Sequence, residues 1–269
     1  MKLPVPVELD GRLIWDAELR EPTAGDIASA RREADQGKAY QAMAEWCAGC
    51  VESLDGGRVS SRQDVRRAAR ALPFVSAMAL AVAAKVEMDG EDGISSVEDC
   101  PYCGTRRQAV RVERDGEVED TRDHIRDLRV RLMPEGAPAS VTYELQSPVE
   151  VRRRDNDELV VEVRSVTVRY PTLADCARAS SGGDDSRAQI AILAEALESV
   201  NGEPASAAWK SSVGRTAFER MKARDVNALS ALLRQYGMDP KVGRTCARCG
   251  MEWDSEVNLL GFFGSALRQ

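Results

Sequence analysis

Three stretches of this chain return later in the same order, and that repetition limits the folds open to it. Arg20-Glu21-Pro22-Thr23-Ala24-Gly25-Asp26 comes back as Arg169-Tyr170-Pro171-Thr172-Leu173-Ala174-Asp175, 149 positions later. Glu52-Ser53-Leu54-Asp55-Gly56 comes back as Glu198-Ser199-Val200-Asn201-Gly202, at a separation of 146. The pair Cys100-Pro101-Tyr102-Cys103-Gly104 and Cys246-Ala247-Arg248-Cys249-Gly250 keeps that second separation. Matches in one order with a net gap of three residues point to a duplicated unit within one polypeptide.

Each copy has the same physical logic. Val5, Val7 and Leu9 alternate with other residues, Asp10-Gly11 interrupts, and Leu13, Trp15, Ala17 and Leu19 continue the alternation. Period two on either side of an Asp-Gly pair predicts a β-hairpin. The second copy offers Val149 and Val151, a polar turn at Asp155-Asn156-Asp157, then Leu159, Val161 and Val163. Its apolar phase slips to Val166, Val168 and Tyr170, which predicts a bulge or bend. Each hairpin leads into Pro-Thr-x-x-Asp, where Thr23 and Thr172 can cap a helix and Asp26 and Asp175 stand at the reciprocal position. Helical patterns follow over about 24–33 and 38–54, then two segments divided at Pro73. In the second copy they cover about 185–200 and 225–236, with Ile190, Leu193, Leu197 and Val200 on one face.

The expected fold class is α+β: two tandem related units, each a β-hairpin plus helices ending in a C-x-x-C knuckle. Residues 1–112 form the first unit, 113–147 a β-rich insertion or linker, and 148–269 the second unit with an apolar C-terminus. Within the insertion, Val110 and Val112 precede Asp115-Gly116, Leu128, Val130 and Leu132 alternate with arginines, and Val141, Tyr143 and Leu145 alternate again. These strands extend the second unit's sheet or pack on it. Arg126, Arg129, Arg131 and Arg152 to Arg154 make the region locally basic, either as solvated strand faces or as a surface for an acidic partner.

Six of the seven cysteines fall in C-x-x-C pairs. No apolar segment reads as a signal peptide or a membrane span, so the chain is expected to be soluble and unexported, in a reducing compartment where such pairs are metal or redox sites before they are disulfides. Cys100, Cys103, Cys246 and Cys249 supply the four thiolates that a tetrahedral zinc site needs. Their separation in sequence is far from ribbon spacing, but equivalent knuckles in two related units can meet. One structural Zn2+ per chain would then clip the halves together. Cys-Pro-Tyr-Cys also looks like a thiol oxidoreductase motif, yet it lacks the strand-then-helix context of those enzymes. Cys47 and Cys50 lie in a patterned helix and are expected to fill the core with Cys176. His124, the one histidine, stands in a polar run that reads as a solvated loop.

No catalytic constellation emerges. There is no Gly-rich phosphate loop, histidine-assisted nucleophile or paired-carboxylate site, so the expectation is a non-enzyme with no small-molecule substrate. A net charge of −7 and 5% aromatic residues argue against nucleic acid as partner. The rival class is a zinc-ribbon nucleic-acid-binding or regulatory protein.

Leu19-Arg20-Glu21-Pro22-Thr23-Ala24-Gly25-Asp26, after its hairpin, resembles the start of Mu-type phage tail-assembly proteins, over roughly residues 3–85. The ending, Cys246-Ala247-Arg248-Cys249-Gly250-Met251-Glu252-Trp253 with Glu256 to Leu259 and Gly261-Phe262-Phe263, is similar to the zinc-knuckle tail of baseplate-hub assembly proteins of contractile-tailed phages. The duplication departs from that family, which presents one such unit. The resemblance implies a virion component or assembly factor of a contractile tail or phage-like injection particle. It also implies hub, tube or tape-measure partners, and assembly in the cytoplasm of the producing bacterium. The apolar Leu259, Leu260, Phe262, Phe263 and Leu267 would close the core or anchor a neighbouring subunit.

Overall fold

A computed structural model of the chain describes residues 1–89, 99–104, 111–114, 117–120, 130–153, 156–180, 185–238, 241–246 and 248–256. The first hairpin pairs β1 (Lys2–Leu9) with β2 (Arg12–Leu19). Asp10 and Gly11 both take positive φ, 52° and 74°, as the right-handed twist of a two-residue hairpin requires. The chain then forms α1 (Ala24–Asp35), α2 (Ala39–Cys50) and β3 (Val51–Leu54), followed by α3 (Arg62–Ala71) and α4 (Phe74–Asp89). Pro73 stands at the junction of the last two. Two short hairpin strands, β4 (Arg111–Arg114) and β5 (Glu117–Asp120), and the two-residue β6 (Val130–Arg131) lead to the second half.

There β7 (Ser140–Arg153) pairs with β8 (Asn156–Arg169), and α5 (Leu173–Ser180), α6 (Asp185–Glu195) and β9 (Leu197–Val200) follow. Next come β10 (Glu203–Pro204), α7 (Ala207–Trp209), a π-helical turn at Lys210–Gly214, α8 (Arg215–Arg220) and α9 (Ala223–Leu233). β11 (Gly237–Met238) pairs with β6, and β12 (Lys241–Thr245) pairs with β13 (Glu252–Glu256). The larger sheets have orders β1-β2-β3 and β10-β9-β8-β7, so the protein is α+β. β7 runs across residue 147, and Val141, Tyr143 and Leu145 therefore lie in the same sheet as the second hairpin. Among the described residues no helix is long and apolar enough to cross a membrane.

Register is where the halves agree in detail. β2 and β3 pair Ala17 with Leu54, Glu18 with Ser53 and Leu19 with Val51. β8 and β9 pair Val166 with Val200, Thr167 with Ser199 and Val168 with Leu197, with the irregularity at the same step. Both hairpin ladders also break alike. One breaks after Lys2–Asp16 and resumes at Val7–Ile14; the other breaks after Glu144–Ser165 and resumes at Val149–Val163. This break is the expected phase slip: Val163 and Val166 are both buried across it.

A break leaves strand amides without ladder partners, and buried amides need them. In the first half Ser76 Oγ accepts from Val5 N (2.9 Å) and donates to Val5 O (2.6 Å). In the second, Asp225 Oδ1 accepts from Gln146 N (3.3 Å) and from Tyr143 Oη (3.0 Å). The caps repeat as well. Thr23 Oγ1 accepts from Asp26 N while Asp26 Oδ2 accepts from Thr23 N, and Thr172 and Asp175 make the same reciprocal pair. Arg20 bonds Asp26 at 2.9 Å, and Arg169 grips Asp175 with both terminal nitrogens.

One expectation needs correction. Residues 51–54 and 197–200 were expected to end helices but form strands. Val-Glu-Ser-Leu and Leu-Glu-Ser-Val have no decisive local preference, and the open edges of β2 and β8 claim them. Arg20 N donates to Cys50 O at 2.8 Å and Arg169 N to Ala196 O at 3.1 Å, which starts each ladder where its helix stops.

Each half has its own core, yet each lends residues to the other. Leu173 of α5 belongs to the first core, with Ala30, Ala44, Trp46 and Leu72. Val5 of β1 belongs to the second core, against which Trp15 and Val75 also pack. Main-chain bonds stitch this junction: Leu173 N to Leu72 O (3.0 Å) and Phe74 N to Pro171 O (2.7 Å).

Candidate metal centre

Both knuckles fold through the same turn. Gly104 N donates to Cys100 O at 2.9 Å, and Gly250 N donates to Cys246 O at 2.8 Å. These glycines have φ of 65° and 69°, a left-handed backbone that costs other residues energy. The second knuckle sits at the end of the β12–β13 hairpin, whose last pair is Thr245 with Glu252. Cys246 N donates to Met251 O at 2.9 Å, carrying the ladder one step into the knuckle.

The four sulfurs Cys100, Cys103, Cys246 and Cys249 lie within 4.8 Å of one another and could hold a metal ion. They interleave: Cys100 Sγ is 3.8 Å from Cys249 Sγ, and Cys103 Sγ is 3.7 Å from Cys246 Sγ. Both distances far exceed a disulfide bond of about 2.0 Å. Cys100 and Cys246 are buried, whereas Cys103 and Cys249 are exposed. Tyr102 and Met251 are exposed on the same rim.

Backbone amides of Cys249 and Arg248 pull the Cys246 thiol below its ordinary value. Cys249 has a lowering contact from the Met251 backbone, but burial and hydrogen bonds with Cys246, Cys103 and Cys100 push it up to about 12. Thiolates this close repel, so a proton must remain among them unless a cation takes its place. Thiolate sulfur is a soft donor, and such a set suits a thiophilic metal ion.

The other cysteines stand apart from this chemistry. Cys47 and Cys50 are fully buried in the first core, and Cys47 Sγ donates to Ala77 O at 3.6 Å. Burial pushes Cys50 up to about 12, with Asp26 and Glu87 adding to it against Arg20. Burial and Asp175 likewise bring Cys176 to about 12. All three are neutral packing groups at physiological pH.

The sequence pointed to the four sulfurs but did not reveal how closely all of them gather, within 4.8 Å of one another. Their approach depends on the tertiary fold. Asp225, Ser76, Arg20 and Arg169 were not singled out either; the signal available for the arginines was their repetition beside each Pro-Thr. His124, Arg126, Leu128, Arg129, Arg154, Asp155, the Asp115-Gly116 turn and the apolar residues from Leu259 to Leu267 lie outside the described residues. Arg131 and Arg152 are exposed. Compared with known proteins, the chain matches no family model, no curated protein and no solved structure.

Proposed function

We propose that the chain is a non-enzymatic assembly protein built from two copies of one unit, clipped by a single structural Zn2+. The observation that carries this is the sulfur cluster. Four thiolates around zinc at about 2.3 Å have tetrahedral edges of about 3.8 Å, and two cross-knuckle contacts are 3.7 and 3.8 Å. With four protein ligands such an ion keeps no open position for substrate or water, which favours a structural role over a catalytic one. The matching strand registers, hairpin breaks, caps and knuckle turns support the duplication.

Zinc here acts on folding. The cysteine pairs lie at distant points of the chain, and the ion ties them together only when both halves are in place. The resemblance of residues 19–26 and 246–263 to tail-assembly and baseplate-hub proteins supplies the setting: a contractile tail or phage-like injection particle, with hub, tube or tape-measure proteins as partners.

Elemental analysis tests the clip. We expect one zinc per chain, lost entirely in Cys100→Ser/Cys103→Ser and equally in Cys246→Ser/Cys249→Ser. Two zincs, or half the metal retained in either variant, would overturn it. Co-expression with tail tube, tape-measure and hub proteins tests the setting, with co-purification expected. A zinc-loaded chain that ignores all of them and shifts DNA or RNA in a salt-dependent way would favour the ribbon reading instead.

A further inference from the structure

The junction between the halves is one-sided. α5 packs across α2, α3 and α4, whereas α1 makes no comparable packing on α6, α8 or α9 among the described residues. On the duplicated-unit reading, on which this inference rests, the second half has a counterpart of the site that receives α5, and among the described residues α1 does not occupy it. Its state shows in α6. Ala42, Met43, Ala44 and Trp46 of α2 are buried, while Ala188, Ile190 and Ile192 at the matching positions of α6 are half-buried and Gln189 is exposed.

The receiving segment has changed its chemistry. In the first half Leu72, Pro73, Phe74 and Val75 follow Ala71; 149 positions later stand Arg220, Met221, Lys222, Ala223 and Arg224. Leu72 and Met221 share their backbone conformation, with φ/ψ of −57°/129° and −59°/146°. Lys222 Nζ and the Arg224 guanidinium donate to Ser147 Oγ, at 2.9 and 3.2 Å, and Arg220 to Glu150 O at 2.8 Å. None of the three cations has a carboxylate partner among the described residues.

The segment that enters the first site has its own counterpart, altered in the complementary sense. Tyr170, Pro171, Thr172 and Leu173 correspond to Glu21, Pro22, Thr23 and Ala24, of which Glu21, Thr23 and Ala24 are exposed. Leu173 and Phe74, two large apolar residues of the first core's junction, have Ala24 and Ala223 as counterparts. A glutamate is now offered where three cations have no carboxylate partner among the described residues.

We infer that the second half of one chain receives the Glu21–Ala24 segment and α1 of a second copy, repeating the inner junction between molecules in charged form. Main-chain bonds to Met221 and Ala223 would take the place of those to Leu72 and Phe74. Such contacts join unlike surfaces, so they propagate head to tail into a ring or a string. Opposite charges steer the approach and make it salt-sensitive.

Sedimentation velocity of the zinc-loaded full chain tests this. At low salt we expect the mean mass to grow with concentration, and to fall back to monomer near 1 M salt, where the screening length is about 3 Å. Lys222→Glu/Arg224→Glu and, separately, Glu21→Lys should each weaken association about tenfold or more, and the triple variant should restore it. These side chains are exposed, so zinc content and melting temperature serve as controls, and a failure of association leaves the clip untouched. A chain that is monomeric at every concentration would overturn the inference, as would association indifferent to all three reversals.

Discussion

Helices α2 and α6 hold the same place in their halves, each lying between a helix that follows the hairpin and the third strand of a sheet. Their surroundings differ. α2 is covered on both sides and is built from small residues, Ala42, Ala44, Ala48 and Gly49, that let neighbours approach; a Cβ on Gly49 would stand 2.8 Å from the Asp26 side chain. α6 has no such outer helix among the described residues and carries an exposed Gln189 with half-buried Ile190 and Ile192. Backbone pairing in both halves follows one plan, because ladders and caps depend on hydrogen bonds that many side chains permit. Outer faces follow what lies against them. The two halves thus share a backbone plan and differ at the surface.

The largest expected difference between the halves concerns the two buried aspartates. Asp175 is fully buried between Arg169 and Arg178, while Asp26 keeps some exposure beside Arg20 and Arg62. Removing one partner of a buried ion pair costs about 3–5 kcal/mol. Asp175→Asn should therefore lower stability in urea by about that much, and Asp26→Asn by roughly half. Equal losses would mean the two frames are equally enclosed. Next comes the junction. Leu173→Ala should cost about 2–5 kcal/mol in the same assay, whereas Ala24→Leu, its counterpart on the open side, should leave the isolated chain unchanged.

Acid should expose the smaller charge effect. Burial alone would raise the Asp26 carboxyl, but hydrogen bonds from Thr23 and Arg20 outweigh it and bring it from 3.8 to about 2. A lowered carboxylate stabilises the fold above its unfolded value and loses that contribution as pH falls through the folded one. The difference is roughly 2 kcal/mol, lost between about pH 4 and 2. Asp26→Asn should flatten the stability curve over that window. Smallest of all, Thr23→Ala and Thr172→Ala should each cost about 1 kcal/mol by thermal unfolding, as lost caps do.

Much of the frame was legible because its signals are local. Asp10-Gly11 can make its turn wherever it stands, Thr23 and Thr172 cap the helices they begin, and the knuckle glycines declare a left-handed backbone. The recurring segments added what no local signal holds, the expectation that the distant cysteine pairs meet, and the four sulfurs do cluster. The short strands β3 and β9 were misread because a helical pattern runs smoothly into them; only the unpaired edge of the preceding strand decides. Leu173 in the first core and Val5 in the second were invisible for a related reason. Apolar spacing says that a side chain is buried but not in which half.

That exchange of Val5 and Leu173 has a consequence for synthesis. Val5 emerges from the ribosome roughly 150 residues ahead of the β7 and β8 valines that share its core, which at about 5–20 residues per second is a wait of order ten seconds. During it the newborn first half holds one apolar side chain, Val5, without its partner core, and a vacancy where Leu173 belongs. A holding factor, or crowding by sister chains on one messenger, would find that gap open.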